Sequence, residues 1–461
     1  MTDTHPITNS TRTRRAFIKT AGGLAAGAAW CRPETFFRTA HAGHVDETLK
    51  VALIGCGGRG TGAAVQALST DGPVTLWAMA DAFGDRLELS LRGMRQGLPK
   101  RYDRQKTRSL ADRIDVPPER RFVGLDAYRR AIDSGVDVVL IAAPPGFRPQ
   151  HFEYAVRAGK HVFMEKPLAT DAHGVRRILA AAKEAKKRRL KVGVGLQRHH
   201  QQSYLDAMQR IRDGALGEIV ALRCYWNGGP PAKTPFARAR TSSELEYQVR
   251  NWYFFDWLSG DHICEQHIHN LDVCNWIMQS HPVSAQGMGG RQVRTGKEYG
   301  NIFDHHAVEF TYADGTKMFS QCRQIPGCWR SITEHAHGTK AVADLSNSTC
   351  RIHSGDRQLW RSKRWRGKRY VTPYQVEHDV LFDAIRRDKE FNEAEDAAIS
   401  TMTAILGRLA TYSGQQVKWD DAIASEKRLT CDAEDWSARP PLEPDSTGAY
   451  PIAIPGVTEV L

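Results

Sequence analysis

No hydrophobic run in this 461-residue chain is long enough to cross a bilayer as an ordinary helix. The weakly apolar stretch Ala21–Trp30 falls short and nothing later approaches that length, so a soluble mature protein with no transmembrane segment is expected. The nine cysteines form no C-x-x-C pair and no dense framework, which argues against a disulfide scaffold. Cys31 lies in the leader. Cys56 lies inside a glycine-rich turn and Cys264 and Cys274 inside an expected core segment, and all three read as small buried residues. Internal repeats are absent. So is any nucleic-acid-reading module or basic–aromatic stripe, so nucleic acid is not an expected partner.

The formal net charge is +12. Residues 1–42 carry six Lys/Arg and two Asp/Glu, which leaves 58 basic against 50 acidic side chains, or +8, in the rest. The basic residues cluster in Arg92–Arg108, Lys183–Lys191 and Arg361–Arg369. Such clusters are ordinarily solvated helix ends and loops. The alternative is attraction of an anionic substrate, such as an acidic or sulfated glycan.

Residues 1–42 read as a signal peptide. Thr13-Arg14-Arg15-Ala16-Phe17-Ile18-Lys19 resembles a twin-arginine export signal, the apolar stretch follows, and Ala40-His41-Ala42 forms an A-x-A cleavage site. A periplasmic or otherwise exported location is expected.

The rest of the chain is organised around Leu49–Ile54 and the turn Gly55-Cys56-Gly57-Gly58-Arg59-Gly60. An apolar strand runs into glycines at the dinucleotide spacing. The first allows a tight turn, the second lets backbone approach a pyrophosphate, and the third lets the following helix pack on the strand. That helix N-terminus offers N–H groups and a positive dipole end to phosphates. A second apolar run, Val74–Ala80, ends at Asp81, 21 residues after Gly60, where an acidic residue takes the ribose hydroxyls. No arginine directly follows Asp81, which favours NAD; Arg59 and Arg86 leave NADP open.

Residues 48–196 alternate strands and helices and predict a parallel Rossmann sheet. Its further strands are Arg121–Val123, Val136–Ala142, His161–Met164 and Lys191–Leu196. Ala142-Ala143-Pro144-Pro145 falls at the carboxyl edge, which makes Ala143 and Pro144 cofactor-contact candidates. Residues 197–420 predict an α+β domain with a large, open, mainly antiparallel sheet. Its strands are Ile219–Tyr225, Ser284–Met288, His306–Tyr312 and Lys317–Arg323, with a hairpin at Asp314-Gly315 and amphipathic helices at Val376–Asp388 and Ala394–Gly414. Residues 421–461 read as a Pro-rich, polar extension that wraps the surface.

The chain thus resembles the glucose–fructose oxidoreductase / inositol dehydrogenase (Gfo/Idh/MocA) family over roughly residues 48–420. The resemblance rests on the glycine turn, on Ala142–Pro145 with His151 downstream, on Gly159–Pro167 with its Glu165-Lys166-Pro167 signature, and on Glu265, His269 and Asp272. It implies that Glu165 and Lys166 meet the cofactor and that Lys166 is catalytic. A partly desolvated amine beside a nicotinamide cation releases its proton more readily. It can then assist removal of a hydroxyl proton or polarise a ketone. The resemblance also makes His269 the general base, with Glu265 in place of the family's usual aspartate and Asp272 orienting or packing nearby. Pro167 is a candidate cis residue.

The segment Asp261–Asn270 departs from the family pattern, since His267 stands where a small glycine is usual. Glu265, His267 and His269 would share a face of an extended segment and suit Zn or another divalent ion, which would polarise a sugar carbonyl. The competing reading has His267 and His262 hydrogen-bonding within a polar site. Trp226, Trp252 and Tyr253 are candidate platforms for a sugar ring, whereas Trp257 reads as core. Arg198 and His199, after the last Rossmann strand, are substrate-binding candidates with Trp252 and Asp272.

The resulting expectation is an exported NAD(P)-dependent enzyme acting on a sugar or oligosaccharide, with an anionic one the alternative that the basic clusters raise. Outside the cytoplasm there is no nicotinamide pool, so tightly held NAD recycled within each turnover is expected, as in oxidation–elimination–hydration–reduction glycosidase chemistry. The alternatives are an ordinary sugar or polyol dehydrogenase, a sugar–sugar oxidoreductase, and a non-catalytic carbohydrate-binding protein. The resemblance also implies a homo-oligomer through the C-terminal sheet.

Overall fold

A computed structural model of the protein describes residues 47–96, 110–231, 234–363, 371–431 and 433–461. The expected signal peptide at 1–42 lies outside the described residues. So do 97–109, within the expected basic excursion.

The N-terminal half is built on six short apolar strands. They are β1 (Leu49–Ile54), β2 (Val74–Asp81), β3 (Arg121–Val123), β4 (Val138–Ile141), β5 (His161–Met164) and β6 (Val192–Val194). All pair in parallel, in the order β3-β2-β1-β4-β5-β6. That is the Rossmann order, with a topological switch between β1 and β4 where a ligand crevice opens. β1, β4 and β5 are buried along nearly their whole length, as a sheet covered on both faces requires. The covering helices are α1 (Gly58–Leu68), α2 (Gly84–Gln96), α3 (Ala127–Asp133), α4 (Arg148–Arg157) and α5 (Ala172–Lys187).

Past α6 (Gln202–Arg212) come the strands of a nine-stranded sheet. They are β7 (Ile219–Asn227), β8 (Ser284–Gly290), β9 (His305–Thr311), β10 (Lys317–Arg323), β11 (Ser331–Gly338), β12 (Val342–Leu345), β13 (Arg351–Ser354), β14 (Arg357–Arg361) and β15 (Val417–Lys418). Their order is β14-β13-β12-β11-β7-β10-β9-β8-β15, antiparallel except for β7 beside β10. The β9–β10 hairpin turns at Asp314-Gly315, where Gly315 adopts φ +88°. Burial alternates regularly along β9 and β10, and Leu222, Cys224, Met318, Ser320 and Cys322 point inward and are buried. The other face carries exposed Phe319 and Met288.

Between β7 and β8 the chain forms α7 (Glu244–Arg250), α8 (Asp256–Ser259), α9 (His262–Glu265) and α10 (Ile268–Met278); Glu265 ends α9 and His269 lies in the first turn of α10. Three helices follow β14: α11 (Pro373–Arg386) and α12 (Ala394–Ser413) precede β15, and α13 (Trp419–Ala424) follows it. Trp257 is 1% exposed and donates Nε1–H to Gln248 at 2.7 Å, so it is core, as its sequence context suggests. None of the eight described cysteines forms a disulfide, and six are buried. The C-terminal segment packs back on the molecule: Trp436 stacks on Phe83, and Tyr450 meets Phe255 edge-on.

Candidate active site

A cleft of about 1270 Å³ opens at the carboxyl ends of β1 and β4, at the switch point. Gly55, Gly57, Gly58, Arg59, Gly60, Asp81, Ala143, Pro144, Glu165 and Lys166 all line it. The turn has room for a dinucleotide. Gly55 has φ +91°, and a Cβ there would meet Ala143 N at 2.4 Å. A Cβ on Gly60 would strike Gly55 O at 1.9 Å, so helix α1 can approach β1 only with glycine there. A Cβ on Gly57 would meet nothing within 4 Å, which leaves open space over the second glycine. No side chain caps α1 and no acid lies in its first turn, so its positive end suits a phosphate.

Asp81 closes the other side. Its Oδ2 accepts from Cys56 N–H at 2.6 Å and its Oδ1 from Phe83 N–H at 2.9 Å. Burial pushes its carboxyl up from the usual range, against the pull of those two amides. The Cys56 thiol points away from the cleft into the core, and burial pushes it well up. These residues fit NAD: a carboxylate ends β2, and the glycine turn and helix end lie opposite.

At the far end of the cleft, Lys166 Nζ lies 3.2 Å from Glu265 Oε1 and also donates to the Glu265 carbonyl oxygen. The Lys166–Pro167 peptide is cis. Glu265 Oε2 has no hydrogen-bond partner among the described residues, and neither do His269 Nδ1 and Gln197 Oε1. All three residues line the cleft, so unsatisfied polar atoms converge where a polyhydroxylated ligand would be held. His269 is 6% exposed and stacks on Trp226, with centroids 5.9 Å apart. Burial, then the charges of Lys166 and Arg198, hold its pKa well below that of an ordinary histidine, so the ring is neutral. Trp226, Trp252 and Tyr253 line the same end.

The turn before α9 is held at Asp261, which adopts φ +70°. A non-glycine residue there costs roughly 1–3 kcal/mol. The carboxylate offsets that cost. Its Oδ1 meets His262 Nδ1 at 2.9 Å; its Oδ2 accepts from Phe303 N–H at 2.9 Å and Tyr412 O–H at 2.7 Å. The hub sets where α9 begins, and hence where Glu265 meets Lys166.

Glu265, His267 and His269 do not form a metal site. The chain turns from α9 into α10 between them, so the extended geometry assumed from the sequence is not present. His267 is fully buried and faces the sheet, its Nε2 2.7 Å from Ser320 Oγ and 3.7 Å from Cys224 Sγ. Neither Zn binding nor a place in the cleft suits it. Among the described residues, the group with ligand-type geometry is Asp261, His262 and His306. It lies outside the cleft, and its carboxylate is occupied by the hydrogen bonds above.

Arg198, His199 and Asp272 also lie outside the cleft. Arg198 is 1% exposed and pairs with Glu334, whose Oε2 accepts from Tyr204 O–H at 2.9 Å. His199 Nε2 is 2.8 Å from Asp272 Oδ2, and Asp272 Oδ1 accepts from Ser400 O–H at 2.8 Å. The last Rossmann strand is followed by a tight 3-10 turn, Gln197–His200, which sends Gln197 to the cleft and its neighbours into the core. Residues missed in the sequence include Arg148, Tyr374 and Gln375. Tyr374 lies over the Arg59 guanidinium at 5.0 Å, and Gln375 Nε2 donates to Gln66 O at 3.0 Å. Tyr374 and Gln375 reach the nucleotide turn and helix α1 from α11, more than 300 positions later, and no local signal marks them.

Residues 49–194 match the profile of the oxidoreductase family, NAD-binding Rossmann fold (GFO_IDH_MocA), and residues 204–343 match the GFO/IDH/MocA C-terminal domain. The inositol 2-dehydrogenase of Serratia proteamaculans (strain 568) is 29% identical over 307 residues, covering 64% of this chain and 82% of that protein. The inositol 2-dehydrogenase of Klebsiella pneumoniae (strain 342) is 32% identical over 217 residues, covering 46% of this chain and 56% of that protein. A levoglucosan dehydrogenase, solved in complex with NADH and levoglucosan, has a similar fold. Its TM-score is 0.62 at 16% identity, over 81% of this chain and 99% of that one.

Proposed function

The chain belongs to the GFO/IDH/MocA oxidoreductase family, and from that premise we propose that it oxidises a secondary hydroxyl of a sugar or polyol with NAD. The observation that carries this reading is the single cleft that joins the glycine turn and Asp81 to Lys166, Glu265 and His269. NAD, when bound, accepts hydride from the carbon that bears the hydroxyl. Neutral His269 takes the hydroxyl proton. Lys166, oriented by Glu265, donates a hydrogen bond to the same oxygen and stabilises charge that develops there. Trp226 and Trp252 support the apolar face of the ring. The inositol and levoglucosan specificities of its relatives support a cyclic polyol or anhydrosugar as substrate.

The finer part of the proposal is that the nucleotide is retained and recycled. Tyr374, which lines the cleft, packs against Arg59 at the nucleotide turn, which supports slow release. Export by the twin-arginine signal, with cleavage after Ala42, would demand such retention. The purified protein is expected to carry NAD(H) and to release aglycone from aryl glycosides without added NAD and without net NADH absorbance. Steady NADH accumulation that depends on added NAD would instead establish an ordinary dehydrogenase, the reading the named relatives favour. Absence of both turnover and bound nucleotide would leave a carbohydrate-binding protein. Exposed Phe319 and Met288 on the open sheet face support self-association there, which Phe319→Asp should weaken in sedimentation experiments.

A further inference from the structure

The charges at the Lys166 end of the cleft do not cancel. Lys166 is paired with Glu265 at 3.2 Å, and Arg59 with Glu165 at 2.9 Å. Arg148 is left over. It lines the cleft, is 2% exposed, and has no carboxylate within ion-pair distance among the described residues. Its Nη2 donates to Ala143 O at 2.6 Å and its Nη1 to Pro167 O, while Nε has no hydrogen-bond partner. The guanidinium therefore ties the β4 edge to the residue after Lys166. The Glu165 and Glu265 carboxylates act on it from beyond ion-pair distance, but each is already paired, so these five groups carry one positive charge in excess. The approach of this helix end is built in: a Cβ on Gly146 would strike Trp257 O at 2.4 Å.

We propose that Arg148 biases the bound nicotinamide couple toward its reduced form. The inference rests on the NAD reading above. The oxidised nicotinamide ring is a cation and the reduced ring is neutral. A buried, uncancelled cation beside the ring site raises the free energy of the oxidised form alone. The bound nucleotide then becomes a stronger oxidant, which favours removal of hydride from an alcohol carbon. Arg148 acts through its field, so it is a positioning and electrostatic residue that need not touch substrate.

The test is equilibrium binding. NADH affinity is read by fluorescence titration and NAD+ affinity by competition, in wild type, Arg148→Gln and Arg148→Lys, with folding checked by circular dichroism. Arg148→Gln is expected to lower the ratio Kd(NAD+)/Kd(NADH) about tenfold, the scale of a unit charge acting over roughly 10 Å at an effective dielectric constant of about 20. Arg148→Lys keeps the charge and is expected to keep the ratio within about threefold. Parallel weakening of both nucleotides, with the ratio unchanged in Arg148→Gln, would mean that Arg148 only braces the two carbonyls and would overturn the proposal. Should that variant not fold, Glu265→Gln removes an anion from the same region and must raise the ratio; no change there overturns it equally. Failure of wild type to bind either nucleotide would instead remove the NAD reading on which the proposal stands.

Discussion

Lys166 and Glu265 are 99 positions apart in sequence, yet their side chains pair at 3.2 Å where the two sheets face one cleft. Each comes from a segment held by its own device. The cis Lys166–Pro167 segment is tied to Arg148, and α9 is anchored at Asp261. The pair thus joins the nucleotide half of the molecule to the substrate half.

Lys166→Met is expected to lower kcat by about 10²–10⁴-fold while nucleotide binding persists. Glu265→Gln should cost less, and the double variant should be no worse than Lys166→Met, because Glu265 acts largely by orienting the amine. Steady-state kinetics with the identified substrate check this. Independent, multiplicative losses would show that the two do not work as a unit.

The two glycines at the end of the turn should behave oppositely. Gly57→Ala meets open space and is expected to fold with an unchanged melting temperature but weakened nucleotide binding. Gly60→Ala drives a Cβ into the Gly55 carbonyl and is expected to fail to fold. Thermal denaturation with and without NAD separates the two cases.

Aromatic residues divide in the same manner. Trp226→Ala, on the cleft, should raise KM for the sugar roughly three- to tenfold, the ~0.5–1.5 kcal/mol scale of an aromatic face. Trp257→Ala, in the core, should cost about 3–5 kcal/mol of stability. A Trp226 variant with unchanged KM would remove the platform role.

Acid should destabilise the protein early. Burial lowers the pKa of His151 to about 3 and of His161 and His306 to about 4. His269 and His378 are also pushed well down, chiefly by burial. Each folded value lies below the unfolded value near about 6.5, so the unfolded chain takes up protons that the folded chain refuses. Stability should therefore fall as pH drops from about 6.5 toward 4, by up to about 1.4 kcal/mol per pH unit for each histidine involved. Denaturant midpoints measured between pH 7 and 4.5 check the sign; a flat profile would contradict it.

Arg198→Ala should behave as a core defect, costing about 3–5 kcal/mol by stranding Glu334, with KM unaffected if the variant is assayed where it remains folded.

The amino-acid order alone determined the features that depend on neighbours. β1, β5 and β10 fall at the residues their apolar or alternating patterns mark, because a buried strand must be apolar along its length or alternate. The glycine turn, Asp81 and the Lys166 segment are local too, since each role follows from backbone conformation at a strand end. Strands β11 to β15 gave little signal, being short or mixing polar and charged residues with apolar ones on an open face. What only the tertiary structure decided was which way polar side chains turn at element junctions. One 3-10 turn sent Gln197 to the cleft and Arg198 to Glu334, and the break between α9 and α10 parted His267 from Glu265 and His269. It also brought Tyr374 and Arg148 to a nucleotide site that their own neighbours do not mention. Side-chain direction at a turn depends on partners distant in sequence, Glu334, Ser320 and Pro167 among them, and spacing along a chain carries no record of those contacts.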